Sequence, residues 1–136
     1  TMAASAAALQ SVLLDAALGY HQEAAQRARQ AADMLSRPLQ SELIVRQALK
    51  FAFHAHYTQH DPQANARNYI HAYNELWDFA NSGGAHNPLP KSRHVEVKAV
   101  ACLLHYKACW LYLEGGGVRD ARLQLRRHLK LFKTLK

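Results

Sequence analysis

The chain has 136 residues, 49% hydrophobic and 20% charged, which fits one ordinary globular domain and excludes extended disorder. Most of its formal net charge of +7 lies in residues 119–136, where Arg119, Arg122, Arg126, Arg127, Lys130, Lys133 and Lys136 face only Asp120. The longest apolar run, Val95–Leu113, is broken by Glu96, Lys98, His105 and Lys107, so no run of about 18 residues suggests a membrane span.

The opening residues TMAASAAALQ carry no basic region of the kind that starts a signal peptide. Thr1 before Met2 suggests a segment of a longer protein. Residues 3–18 are rich in alanine and leucine and favour helix. Gly19 is expected to break it, giving a second helix over about 20–36 with a small face of Ala24, Ala28, Ala31 and Leu35. Pro38 marks the next boundary, and a third helix follows over about 39–59, with Leu43, Val45, Ala48, Leu49, Ala52, Phe53 and Tyr57 as its apolar positions. Asp61 and Pro62 form a cap and first-turn pair for a fourth helix, about 62–80, carrying Ala66, Ile70, Tyr73 and Trp77. The stretch NSGGAHNPLPKS, residues 81–92, is the one expected long loop.

Ser92 is expected to cap a fifth helix over about 93–114. Val95, Val97, Val100, Leu103, Leu104, Tyr106, Trp110, Leu111 and Leu113 make it apolar nearly all round, the mark of a helix buried between others. Gly115, Gly116 and Gly117 end it, and a sixth helix over about 117–134 folds back on it, with Val118, Ala121, Leu125, Leu129 and Phe132 toward the core. Leu123, Leu131 and Leu135 then form a second apolar edge, to be covered by a following helix or a second copy of the chain. No stretch alternates as a half-buried strand does. The expected fold is therefore all-α, with about six helices in three antiparallel hairpins.

The hairpins share a grammar. Tyr112, Gly116, Ala121 and Leu125 keep the spacing of Tyr57, Asp61, Ala66 and Ile70, and of Asp15, Gly19, Ala24 and Ala28. This pattern resembles the tetratricopeptide (TPR) repeat, which implies a right-handed superhelix and a scaffold for protein partners. The intervals between the alanines, 42 and 55 residues, depart from the regular 34. His105 also stands at the family's tryptophan position, and the family's closing proline is absent. A non-repeat bundle, or a three-helix module of the microtubule-interacting-and-transport kind, is the alternative.

Arg119, Arg122, Arg126, Lys130 and Lys133 fall on one face of the last helix. The plain reading is a solvated outer face. The sharper one is a docking stripe for an acidic protein, with nucleic acid as the alternative partner. A second candidate surface is a polar and aromatic groove formed by Asn65, Tyr69 and Tyr73 on the fourth helix.

The nine histidines include His54, His56 and His60, but HYTQH lacks the glutamate of a zinc-protease helix, so they are read as structural. Cys102 and Cys109 lie about 10.5 Å apart along one helix, beyond the roughly 7 Å a disulfide allows. They read as buried thiols in a reducing compartment, hence an intracellular setting, cytoplasmic or nuclear. His105 lies within reach of both, but a thiol in an apolar helix does not ionise readily. No nucleophile, phosphate-loop or metal motif appears, and neither enzymatic activity nor a cofactor is expected.

Overall fold

The computed structural model describes residues 1–82 and 89–135, and for residues 37–39 the backbone alone. The described residues form five helices and no strand: α1 (Met2–Asp33), α2 (Arg37–Thr58), α3 (Pro62–Asn81), α4 (Lys91–Glu114) and α5 (Val118–Thr134). The expected count of six is corrected because Gly19 sits inside α1. A Cβ built there would meet nothing within 4 Å, and one helical glycine costs only about 1 kcal/mol against alanine. The strong helix formers on both sides outweigh it, so Asp15, Gly19, Ala24 and Ala28 do not make a turn.

The other boundaries have local causes. Asp61 caps α3, accepting from the Gln63 amide at 3.0 Å, with Pro62 in the first turn. Pro90, not Ser92, stands at the cap of α4. Of the loop expected over 81–92, residues 83–88 lie outside the described residues, while Asn81 belongs to α3 and Lys91 and Ser92 to α4. The α4–α5 turn uses all three glycines. Gly117 N–H donates to Tyr112 O at 2.6 Å and Gly116 N–H to Leu113 O at 3.1 Å, the paired bonds of a Schellman cap. Gly116 has φ +78°. A Cβ on Gly117 would press on Tyr112 O at 3.1 Å, and one on Gly115 on Gln63 Cγ at 3.0 Å.

Each helix packs on its neighbours in the chain, in antiparallel register: His21 meets His54, Gln59 meets Asn65, Gln63 reaches Gly115, and Cys109 meets Ala121. Arg93 of α4 reaches Glu42 of α2 at 3.1 Å, while Leu103 and Lys107 lie across from Leu49 and Phe53, so α2 and α4 run parallel, side by side. The result is two layers, α2 and α4 in one and α1, α3 and α5 in the other.

The interior is thin. Ala52, Ala66, Ala72, Ala101 and Ala108 are fully buried, and among the described residues only Tyr73, Leu104 and Leu131 are large side chains fully enclosed. Alanine at the contacts lets the helices approach closely, and leaves no room for the leucines and aromatics placed there by the sequence pattern. Leu43, Phe53 and Tyr57 on α2 are exposed, as are Val95, Leu103, Tyr106, Trp110 and Leu113 on α4. The fifth helix of the sequence reading is thus buried on one face only: Val97, Ala101, Leu104, Ala108 and Leu111.

Every described side chain from Met2 to Leu18 on α1 is exposed, because this half of the helix runs past the end of α2. By length and composition, α1 also holds an 18-residue stretch apolar enough to cross a membrane, which corrects the expectation drawn from uninterrupted runs. Alanines and leucines together supply most of that apolarity.

The two glycines make opposite predictions. Gly19→Ala should raise stability by about 0.5–1 kcal/mol, having open space and a helical backbone. Gly116→Ala should lower it by about 1–2 kcal/mol, because its positive φ forces a Cβ against the backbone. Urea unfolding of the two variants checks both signs.

Candidate interaction surfaces

The core face of α5 consists of Ala121, Gln124, His128, Leu131 and Leu135. Val118, Leu125 and Leu129, expected inside, are exposed, whereas Leu131 and Leu135 of the expected outer edge are buried. The helix is turned by somewhat less than one residue step, about 100°. Two of its five core positions are polar, so the apolar pattern pointed elsewhere.

Arg119, Arg122, Arg126, Lys130 and Lys133 are all exposed, directly opposite this core face. Asp120 lies in the first turn, where the helix dipole favours an anion, and Lys133 in the last, where it favours a cation. Arg127 leaves the stripe and donates to Asn74 Oδ1 at 2.7 Å. Val118, Leu125 and Leu129 run along one border of the basic face, so cations and uncovered apolar side chains stand together.

Asn65, Tyr69 and Tyr73 are all buried and do not together line an exposed polar and aromatic surface. Asn65 is 2% exposed; its Oδ1 accepts from Gln59 Nε2 at 2.8 Å and its Nδ2 donates to Gln59 O at 3.0 Å. A buried amide needs such partners, and this one ties the α2–α3 turn. Tyr69 lies 3.3 Å from His56 Nδ1. The Tyr73 hydroxyl pairs with His128 Nδ1 at 3.1 Å, and burial pushes its ionisation up to about 12.

His128 joins this interior set. Its ring stacks on His105 with centroids 4.1 Å apart, and Cys102 Sγ lies 3.7 Å from its Nε2. Burial, and then the neighbouring His105, lower its pKa to about 4. Cys102 is exposed, a correction to the buried thiol expected, and Cys109 is half-buried beside His105 at 3.5 Å with its ionisation pushed up by burial. Among the described residues no group of three or more metal-ligating side chains converges.

A second histidine pair joins α1 to α2. His21 Nδ1 and His54 Nδ1 are 3.0 Å apart, inside a cluster of Tyr20, Phe53 and Tyr57. One ring must be neutral to accept, and burial followed by the His21 charge lowers the pKa of His54. Burial also lowers His56 and His105.

The sequence reading missed a groove between α2 and α4. It holds an almost wholly apolar cavity of about 440 Å³, floored by Leu104 and Tyr69, walled by Leu49, Phe53 and Leu103, and rimmed by Lys50 and Lys107. A smaller cavity of about 150 Å³ continues it past Lys107 to His56, Tyr106, Trp110 and Glu114. The available signal was the all-round apolarity of α4, which exceeds what one buried face requires.

No family model matches the chain, and no solved structure matches it. Among curated proteins it is similar to trafficking protein particle complex subunit 11 of Gallus gallus, of Bos taurus and of Homo sapiens, at 28% identity over 125 residues in each case. The match takes in 92% of this chain, which spans about 10% of the length of the curated relatives it matches.

Two predictions follow from the interior. The unfolded chain binds protons at its histidines near pH 6.5, while the fold holds His54, His56, His105 and His128 neutral to lower pH. Stability is therefore complete above about pH 6.5 and falls as pH drops toward about 4. His128→Gln should make that fall shallower in urea midpoints measured across the range. Gln124 is 2% exposed with neither side-chain amide atom hydrogen-bonded, so Gln124→Met should stabilise the fold by on the order of 1 kcal/mol in the same assay.

Proposed function

We propose that this chain is a non-catalytic helical interaction module, TPR-like in type, that works as part of a larger protein assembly. The observation that carries the reading is the outer surface of α5. Five exposed cations stand beside Val118, Leu125 and Leu129, which none of the described residues covers. Terminal elements of a self-contained helical array present a polar outer face. An apolar border against a basic stripe instead fits a further helix, a second copy or an acidic protein partner laid on the α4–α5 end of the stack.

Two further observations support it. Each helix packs chiefly on its chain neighbours, as stacked helical arrays do. The curated relatives carry the name of a complex subunit and are about ten times longer than this chain, so a part played within a larger subunit is the natural reading. The free, partly exposed thiols of Cys102 and Cys109 fit a reducing, intracellular setting.

The acidic partner is favoured over nucleic acid because α5 carries apolar side chains, not stacking aromatics, beside its cations. Fluorescence anisotropy with labelled poly-glutamate and an arbitrary DNA duplex, at about 0.15 M salt, separates the two. Poly-glutamate should bind, and Arg122→Glu/Arg126→Glu/Lys130→Glu should weaken it at least tenfold with helicity unchanged. Tighter binding of DNA, falling steeply as salt rises, would transfer the stripe to nucleic acid.

A further inference from the structure

The groove between α2 and α4 repeats a geometry that this fold also uses internally. Two parallel helices of one layer leave a furrow, and a helix of the other layer lies in it. α3 fills the furrow of α2 and α4 from one side, and α2 fills that of α1 and α3. On the open side of α2 and α4 no described residue fills the furrow, and its size is that of a binding cleft.

From this geometry we infer that the open furrow is a docking site for an acidic amphipathic helix of a partner protein. The lining supplies the apolar half. Phe53 and Leu103 face each other across the furrow while about half exposed, at 46% and 52%. Side chains spaced i, i+4 and i+7 on an entering helix would seat between them, as apolar anchors do in helix-in-groove recognition. The rim supplies the charge. Lys50 and Lys107 stand on opposite sides and, among the described residues, enter no ion pair. His54 and His56 lie beside them; Glu114 stands at one end next to Trp110, and toward the other end Glu42 is paired with Arg46 and Arg93.

A helix bearing aspartate or glutamate along both borders of its apolar stripe therefore meets cations on each flank. A basic helix meets repulsion from both. The charge along the occupant is also graded: carboxylates near Lys50 and Lys107, and none next to Glu114, avoid like charges.

This inference rests on the reading of the chain as a protein-interaction module, but it uses a surface separate from the α5 stripe, so the two fail separately. The probe is a labelled synthetic helix of three to four turns with leucine at the anchor positions and glutamate on both borders. It is compared with the same peptide carrying lysine for glutamate and with a scrambled sequence of equal composition. Anisotropy should show the glutamate peptide binding at least tenfold more tightly than either control. Lys50→Glu/Lys107→Glu should reverse the preference between the charged peptides. Leu103→Glu should remove binding of the glutamate peptide, whereas Arg122→Glu/Arg126→Glu/Lys130→Glu should leave it within about twofold.

Residues 50, 103 and 107 are all exposed, so circular dichroism should register unchanged helicity in these variants. Equal binding of the scrambled peptide, or a preference for glutamate that survives reversal of both lysines, overturns the inference. So does a light-scattering mass showing a dimer of the wild-type chain that Leu103→Glu converts to monomer, since the occupant would then be a second copy. Loss of poly-glutamate binding by the α5 variant with peptide binding intact would support the furrow on its own.

Discussion

Close helix contact through alanine is the constraint on which this structure depends. With Ala52, Ala66, Ala72, Ala101 and Ala108 at the contact points, neighbouring backbones come near enough that little volume remains between them. Among the described residues only three large side chains are fully enclosed. The chain is nevertheless rich in leucine and aromatic residues, and those that do not fit inside must lie outside. The exposed apolar surface of α2, α4 and α5 is therefore a consequence of the thin interior. It costs solubility unless something covers it. A module whose leucines face outward is poorly suited to a solitary existence and well suited to a place in an assembly.

The same thinness brings polar groups into the core. Tyr73 and His128 satisfy one another, His105 stacks on His128, and Asn65 closes the α2–α3 turn. Each such group is stable only in one arrangement, since a broken partner leaves a buried polar atom unmet. They therefore fix register along an alanine face that could otherwise slide. Gln124 is the exception, buried with its amide unmatched, and marks where the interior carries a cost with no return in hydrogen bonding.

The helical class, the Asp61–Pro62 start and the triple-glycine turn were legible, because each rests on a local rule of backbone chemistry. What escaped the sequence depends on neighbours. Gly19 was read as a break because glycine is a weak helix former, yet one weak residue between two strong stretches does not stop a helix. α5 was read in the wrong rotation because Gln124 and His128 occupy core positions that an apolar pattern assigns to leucine. Tyr69 and Tyr73 were offered as a groove because the aromatics of their helix could not all face one core, and each has a histidine close to it inside. The basic stripe was found because charge on one helix face needs no tertiary information. The furrow between α2 and α4 was not, because it exists only once two helices distant in sequence lie side by side.

These misreadings share a direction. Pattern reasoning assumes that the most apolar face of a helix is the one it buries, which holds when a domain completes its own core. In α4 and α5 the buried face is instead the smallest or the most specifically paired, and the more apolar flank looks outward. An inverted preference of this kind separates two tasks within one helix. The inner face sets spacing and register through alanine and matched polar groups, while the outer face keeps its leucines and aromatics for contacts made beyond the chain. On the proposed reading, charge then supplies what apolar area cannot: the α5 cations would favour an acidic partner, and the furrow lysines would select, among helices of similar apolarity, those with carboxylates along their borders.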